Sequence, residues 1–237
     1  MTLRWLPILL VLNSCSTQVT REEAVATAYR YTQVHWLPAE IHVRQGPDSQ
    51  GIPVRTPDRS LDGRGGWWQP GVPARSLPYQ WGGFDTPESF LEKIAAGKKA
   101  GDVATPEKRA LGDAGTSAES CGIDCSGFIS RCWNLKRPYS TAELPGICEP
   151  LASWADLRAG DILLNDKHVV LFVKWAITDR ELAAYEAGPF PVWRVSACQL
   201  DAGKLRRQGY KPWRYRKILE APKLERASII ALAREWR

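Results

Sequence analysis

Five short apolar runs follow one another late in the sequence, at 161–164, 169–175, 182–186, 192–197 and 210–218, each set off by polar or turn-forming residues. They are too short for buried helices and rich in Val, Ile, Leu, Trp and Tyr, which reads as strands. The segments before them carry helix signals instead. Thr20-Arg21-Glu22-Glu23 is a capping box ahead of AVATAYRYTQ, predicting a helix over 21–33. Thr86-Pro87 opens a second, with Pro at its first position. Asp124 precedes a third, Cys125-Ser126-Gly127 running into FISRCWNL. Helices followed by sequential strands predict an α+β fold, with N-terminal helices packed on an antiparallel β-sheet.

The remaining stretches have weaker patterns. Residues 44–78 are rich in Gly, Pro, Arg and Trp without a period; Trp67 and Trp68 predict that they wrap over the core. Residues 97–120 read as a polar loop or insertion, and LERASIIALAREWR near the C-terminus as a helix. With 237 residues, one domain with elaborations is expected. The expected parts are a leader at 1–14, an N-terminal helix and wrap at 15–77, a catalytic domain at 78–220 and a C-terminal helix at 221–237.

The net charge is +6, with 32 Lys and Arg against 26 Asp and Glu. These charges are interspersed, and no segment has the pattern of a nucleic-acid motif, so no nucleic-acid partner is expected. Only 204–217 is locally basic, with Lys and Arg interleaved with Tyr210, Trp213 and Tyr215. Such alternation describes a half-buried strand as well as a stripe for single-stranded nucleic acid, and the strand reading is preferred. The eleven Trp are read mainly as core material.

The first fifteen residues, MTLRWLPILLVLNSC, have a positive charge at Arg4, an apolar run and small or polar residues before Cys15. That is the form of a signal peptide, too short to span a bilayer as a helix. Leu12-Asn13-Ser14-Cys15 resembles a bacterial lipobox, although Asn13 is unusual there. The expectation is cleavage before Cys15, its lipidation, and attachment to a bacterial membrane or export to the cell surface. Five further cysteines remain, and if Cys125 is kept free, Cys121, Cys132, Cys148 and Cys198 allow three pairings. No C-x-x-C or paired His appears at ligand spacing, so neither metal nor other cofactor is expected.

Cys125 falls at a predicted helix start, where orphan amides and the helix dipole favour a thiolate and could receive an oxyanion. Cys132, in the body of the same helix, serves as a control that should simply be buried. His168, one of three His, follows the turn Asn165-Asp166-Lys167 and heads the apolar strand VVLFVKW. A cysteine nucleophile needs such a base to take its proton and return it to the leaving group. If strands 169–175 and 182–186 form a hairpin centred near Ile177, Glu186 falls opposite His168 and could orient its ring.

Four segments now carry a family resemblance. They are Pro78-Tyr79-Gln80-Trp81-Gly82-Gly83, Asp124-Cys125-Ser126-Gly127-Phe128, Leu157-Arg158-Ala159-Gly160-Asp161-Ile162 and His168-Val169-Val170. In order and type they resemble the NlpC superfamily of cell-wall cysteine peptidases, over about residues 78–187. The resemblance implies a papain-like α+β fold. It also implies cleavage of peptide bonds in peptidoglycan stem peptides, often between D-glutamate and diaminopimelate or lysine. Cys125 and His168 map onto the family's nucleophile and base, and Tyr79 onto a tyrosine lining the site. Ser126 is expected beside the oxyanion. The chain departs from the family in the roughly forty residues between Gly83 and Asp124, and in Glu186 where His, Asn or Gln is common. No Src-homology-three-like or lysin-motif module is visible.

Two other readings stay open. A papain-like acyltransferase or amidase would act on lipid or small amide substrates. Permuted relatives of that kind place His before Cys, whereas the well-placed His168 follows Cys125. A non-catalytic wall-binding module would need neither side chain.

Overall fold

The computed structural model describes residues 18–59, 65–188 and 192–220. The leader and the lipidation expected at Cys15 lie outside these residues, as does the helix expected over 221–237. The architecture is α+β, with helices packed on an antiparallel sheet.

Helix α1 spans Arg21–Thr32. Its capping box forms as the sequence indicates: Glu23 N–H donates to Thr20 Oγ1 at 3.1 Å, and Thr20 N–H to Glu23 Oε2 at 2.8 Å. Ala24, Ala28 and Tyr31 recur at helical spacing and are buried. Tyr31 meets Phe128 edge to face at 5.5 Å and donates its hydroxyl to the Asp85 carbonyl. Helix α2 spans Pro87–Ala95 with Thr86 as its cap. The stretch 97–120 differs from the expected polar loop. Lys99–Ala100 pairs in parallel with Ser120–Cys121, and α3, Pro106–Leu111, lies between them. The reason is local: Thr105 caps the helix and Pro106 opens it, while the Lys108 ammonium is buried on the Asp102 carboxylate.

Helix α4, Cys125–Cys132, is central, with Phe128, Ile129 and Cys132 at 0–1% exposure. Two short helices follow, α5 at Leu144–Ile147 and α6 at Ala202–Arg207. The sheet has six strands: β1 Cys148–Pro150, β2 Ile162–Leu164, β3 Val169–Ile177, β4 Glu181–Ala187, β5 Val195–Asp201 and β6 Lys211–Tyr215. Their spatial order is β5-β4-β3-β2-β6-β1, and every pair is antiparallel. Alternation assigns the two faces. Val169 and Leu171 join the core with α4, whereas Val170 and Phe172 pack with Leu205 of α6 on the other face.

Two expected strands move. The run expected at 192–197 pairs from Val195, because Trp193 takes a positive φ of 46° that breaks an extended path. The run expected at 210–218 ends at Tyr215, and Ile218–Leu219 instead pairs in parallel with Val19–Thr20. The basic residues of 204–217 are divided between α6, the sheet and the turn at Arg216 and Lys217 that follows β6. Arg214 donates to Asp161 through Nε at 3.0 Å and its terminal nitrogen at 2.7 Å. Arg21 reaches the same buried carboxylate at 2.9 Å, so Asp161 ties α1 to β6. In the described part of the wrap Gln45–Pro47 pairs with Pro53–Arg55, and Trp68 joins Trp36 and Phe90 in an edge-to-face cluster.

Candidate active site

Three segments distant in sequence converge on Cys125. The first is 78–83. Ile123 N–H donates to the Pro78 carbonyl and Gln80 N–H to the Ile123 carbonyl, both at 3.1 Å, which sets Tyr79 beside the start of α4. Gly83 then accepts from Asp124 N–H at 3.1 Å. A Cβ on Gly127 would stand 2.5 Å from the Gly83 carbonyl oxygen. Gly83 and the glycine after Cys-Ser are therefore one close approach, whereas a side chain at Gly82 would run into Thr116.

The cap of α4 is heavily bonded. Asp124 Oδ1 accepts from Gly127 N–H at 2.5 Å and from the Ser126 hydroxyl at 3.1 Å, with the Gly82 and Ser126 amides also donating to this carboxylate. Burial nevertheless raises Asp124 to about 6, against the effect of these donors. Ser126, expected beside the oxyanion, spends its hydroxyl and its amide on this cap. The Cys125 amide is the donor of the helix start that the Asp124 carboxylate does not take. Cys125 itself is buried, at 7% exposure.

The second segment is the turn before β3. Asn165 Oδ1 accepts from the Lys167 and His168 amides at 3.0 and 2.8 Å, fixing the backbone that presents His168. The ring bonds Glu186 Oε2 through Nε2 at 2.7 Å, and Cys125 shares the cleft with it, close enough to act on the ring's charge. With Nε2 on Glu186, Nδ1 is the nitrogen left for the thiol. Burial lowers the His168 pKa, but the nearby Cys125 sulfur together with Glu186 outweighs it and raises the ring to about 10. The bonded Glu186 carboxylate thus favours the protonated ring.

The hairpin carrying Glu186 differs in register from the expectation. Its turn centres on Asp179, at φ 58°, not on Ile177. Leu171 pairs with Tyr185 and Phe172 with Ala184, so the same register sets Val170, not His168, opposite Glu186. Irregularities follow Phe172 and Trp175. The His168–Glu186 contact is thus a diagonal one between alternate positions of neighbouring strands, within reach of long side chains.

The third segment is 192–194. The Trp193 carbonyl accepts from Tyr79 N–H at 2.9 Å and from Trp67 Nε1 at 3.0 Å, and its ring meets Tyr79 edge to face at 5.3 Å. Tyr79 lies in the cleft wall with Cys125 and His168. Burial, and then the charge on Cys125, push its phenol well up, so it stays a neutral O–H donor. The cleft has a volume of about 360 Å³, with Trp193, Tyr210, Arg109 and Lys167 completing much of its wall. Sequence reasoning gave none of these four a site role. Trp193 and Tyr210 looked like strand residues, and Arg109 lay in an apparent loop; only Lys167, beside His168, had a positional hint. A groove of similar volume beside Tyr139 and Tyr215 contains neither Cys nor His.

The other cysteines are different. All five described cysteines are free thiols, so none of the three possible pairings forms here. Burial pushes Cys148 up to about 12 and raises Cys121, Cys132 and Cys198 as well. Cys132 is the buried control its place in the helix body suggests. Among the described residues no group of three or more His, Cys, Asp and Glu is gathered for a metal, and no helix is long and apolar enough to cross a membrane. No family model, curated protein or solved structure matches the chain.

Proposed function

We propose that the chain is a papain-like cysteine hydrolase that cleaves amide bonds in peptidoglycan stem peptides. The observation that carries the chemistry is the series Cys125, His168 and Glu186: a thiol at a helix N-terminus, an imidazole in the same cleft wall, and a carboxylate bonded to that ring through Nε2. The substrate class rests on the resemblance of the four motif segments to the NlpC superfamily. Cys125 Sγ, its proton on His168, attacks the amide carbonyl carbon. The developing oxyanion is met by the Cys125 amide and the Tyr79 hydroxyl. His168 passes its proton to the leaving nitrogen, the C–N bond breaks and a thioester remains. Water then attacks the thioester with His168 as base, releasing the acid and restoring the thiol. Glu186 holds the ring and stabilises the imidazolium through both halves. A lipid on Cys15 would place this chemistry at the bacterial envelope.

The test is digestion of purified muropeptides by the mature protein and by Cys125→Ala, with products read by mass spectrometry. New fragments from the parent alone support the proposal. Equal cleavage by both sinks the mechanism. An inert parent that hydrolyses or transfers acyl groups on lipids replaces the substrate class. Fatty-acid labelling in a bacterial host tests the anchor, and unlabelled protein retaining its first fourteen residues would overturn it.

A further inference from the structure

The groove beside Tyr139 and Tyr215, of about 390 Å³, lies beyond the far end of α4 from the candidate nucleophile. Cys125 is the first residue of that helix, and Leu135, three residues past its last, belongs to the groove lining. The eight residues of α4 span about 12 Å. The groove has an apolar floor, where Ile147 and Tyr215 join Leu135, and Tyr215 is stacked on Trp133 with ring centroids 4.9 Å apart. Four exposed cations rim it: Lys136, Arg137, Arg216 and Lys217. No Asp or Glu shares the lining. Two of the cations are held in place. Arg137 has its guanidinium carbon 3.8 Å from the Tyr139 ring centroid and pairs with Glu143 at 2.9 Å, and Arg216 donates to the Gly146 carbonyl at 2.7 Å. Lys136 and Lys217 have no carboxylate partner among the described residues. The course of the chain adds a constraint. Val19 N–H donates to the Lys217 carbonyl at 3.4 Å, and Val19 pairs with Ile218. Cys15 precedes Val19 by four residues, a reach of about 14 Å at full extension.

We propose that this groove docks on anionic phospholipid headgroups and sets the face that the protein turns to the membrane. The inference rests on the expected lipid anchor at Cys15 and gives that anchor a contact surface. The lipid phosphate meets the four cations, and the glycerol and first acyl carbons meet Ile147 and the rings of Tyr139 and Tyr215, side chains suited to a membrane interface. A soluble anion would use the cations alone and leave the apolar floor without a role. An acyl group on Cys15 holds Lys217 close to the bilayer, where each cation gains from the negative surface potential. The lipid by itself tethers the protein without orienting it. Docking through the groove adds the orientation: the far end of α4 faces the bilayer, and the start of the helix, with Cys125, faces away from it.

The experiment uses the mature protein carrying Cys15→Ser, to which no lipid can be attached. Its co-sedimentation is measured with vesicles of phosphatidylcholine alone and of phosphatidylcholine with about 30% phosphatidylglycerol, which supplies the negative surface. The anionic vesicles should bind at least about tenfold more tightly, since each cation near such a surface contributes about fivefold. Lys136→Gln and Lys217→Gln together should remove most of that preference, and so should about 0.5 M salt, where screening is short-ranged. Lys174→Gln and Arg180→Gln remove as much charge from exposed positions of the β3–β4 hairpin, and that variant should keep the preference. Equal binding to the two kinds of vesicle, or equal losses from the two double variants, overturns the proposal. So does calorimetric binding of dissolved glycerol phosphate that depends on Lys136 and Lys217 while the vesicles bind nothing, which would make the groove a site for a soluble anion. Fatty-acid labelling of the parent reads the anchor separately. A labelled Cys15 without a vesicle preference keeps the anchor and sinks the docking face; a preference with Cys15 unlabelled keeps the face and sinks the anchor.

Discussion

Replacing Lys108 with Met should be among the most damaging single changes away from the nucleophile. Lys108 and Asp102 form a buried ion pair at 1% and 0% side-chain exposure. The ammonium also donates to the Gly115 carbonyl at 2.7 Å, and Asp102 Oδ1 accepts from Arg55 N–H at 3.0 Å. Removing one member of such a pair leaves the other charge desolvated, at a cost of about 3–5 kcal/mol. Burial already holds Asp102 up at about 6, against the lowering by Lys108 and Arg55. Without Lys108 it should rise further and take a proton, which limits the cost. The sign follows: the unpaired carboxylate is penalised where it must be charged, so the loss should be larger at pH 7 than at pH 5. Met fills similar volume without the charge, and Asp102→Asn keeps an acceptor for Arg55. The double variant should therefore be more stable than the sum of the single losses allows, by about 1–3 kcal/mol. Urea unfolding of parent, both singles and the double at the two pH values measures all four quantities. A single loss under about 1 kcal/mol, or additive losses, would refute the reasoning.

Three further variants have expected outcomes. Glu186→Gln should retain a hydrogen bond to the His168 ring but lose the negative charge that helps raise it to about 10; the alkaline limb of kcat/KM should move down by about 1–3 pH units, and an unmoved limb would remove Glu186 from the relay. The same raised ring contributes stability that is full below its unfolded value near 6.5 and is lost as pH rises through about 10, so alkaline unfolding of Glu186→Gln should come earlier than that of the parent. Asp161→Asn leaves Arg21 and Arg214 facing a neutral amide, and chemical denaturation should record a loss of about 2–5 kcal/mol, whereas Cys132→Ala should lower stability by about 1–3 kcal/mol through its cavity while leaving the pH dependence of turnover unchanged.

What the sequence displayed of this molecule was mostly local. The capping box at Thr20, the Thr86-Pro87 start and Asp124 ahead of an apolar run all specify helix beginnings within four residues, and each helix starts there. The same grammar stood at Thr105-Pro106, where a polar composition concealed it; Lys108 looked solvated because only the folded chain brings Asp102 to it. Strand positions depended on less local terms. Trp193 would extend a strand by propensity, yet its carbonyl is held by two donors from elsewhere and its φ is 46°. The hairpin expected at Ile177 moved because two irregularities add residues to β3, which periodicity alone does not register. His168 and Glu186 meet nonetheless, since long polar side chains tolerate a diagonal placement.

The same non-local terms tie the less legible segments to the site. Trp67 belongs to the wrap, and its indole N–H bonds the Trp193 carbonyl; that carbonyl also takes the Tyr79 amide, and Tyr79 stands beside Cys125. Arg194, next to Trp193, lies over the Trp67 ring, 5.2 Å from its centroid. The wrap therefore braces one wall of the cleft from behind. The stretch from Gly83 to Asp124 braces the other, with Trp81 Nε1 donating to the Gly112 carbonyl at 2.9 Å and Arg109 set over the Trp81 ring. A nucleophile, base and orienting carboxylate need only a helix start and two neighbouring strands. What they act on is decided by the walls, and here both walls are made or supported by segments whose sequence has no regular period. Changes at Trp67 or Trp81 should accordingly alter substrate preference before they alter the chemistry at Cys125, since neither side chain touches the thiol, the imidazole or the carboxylate.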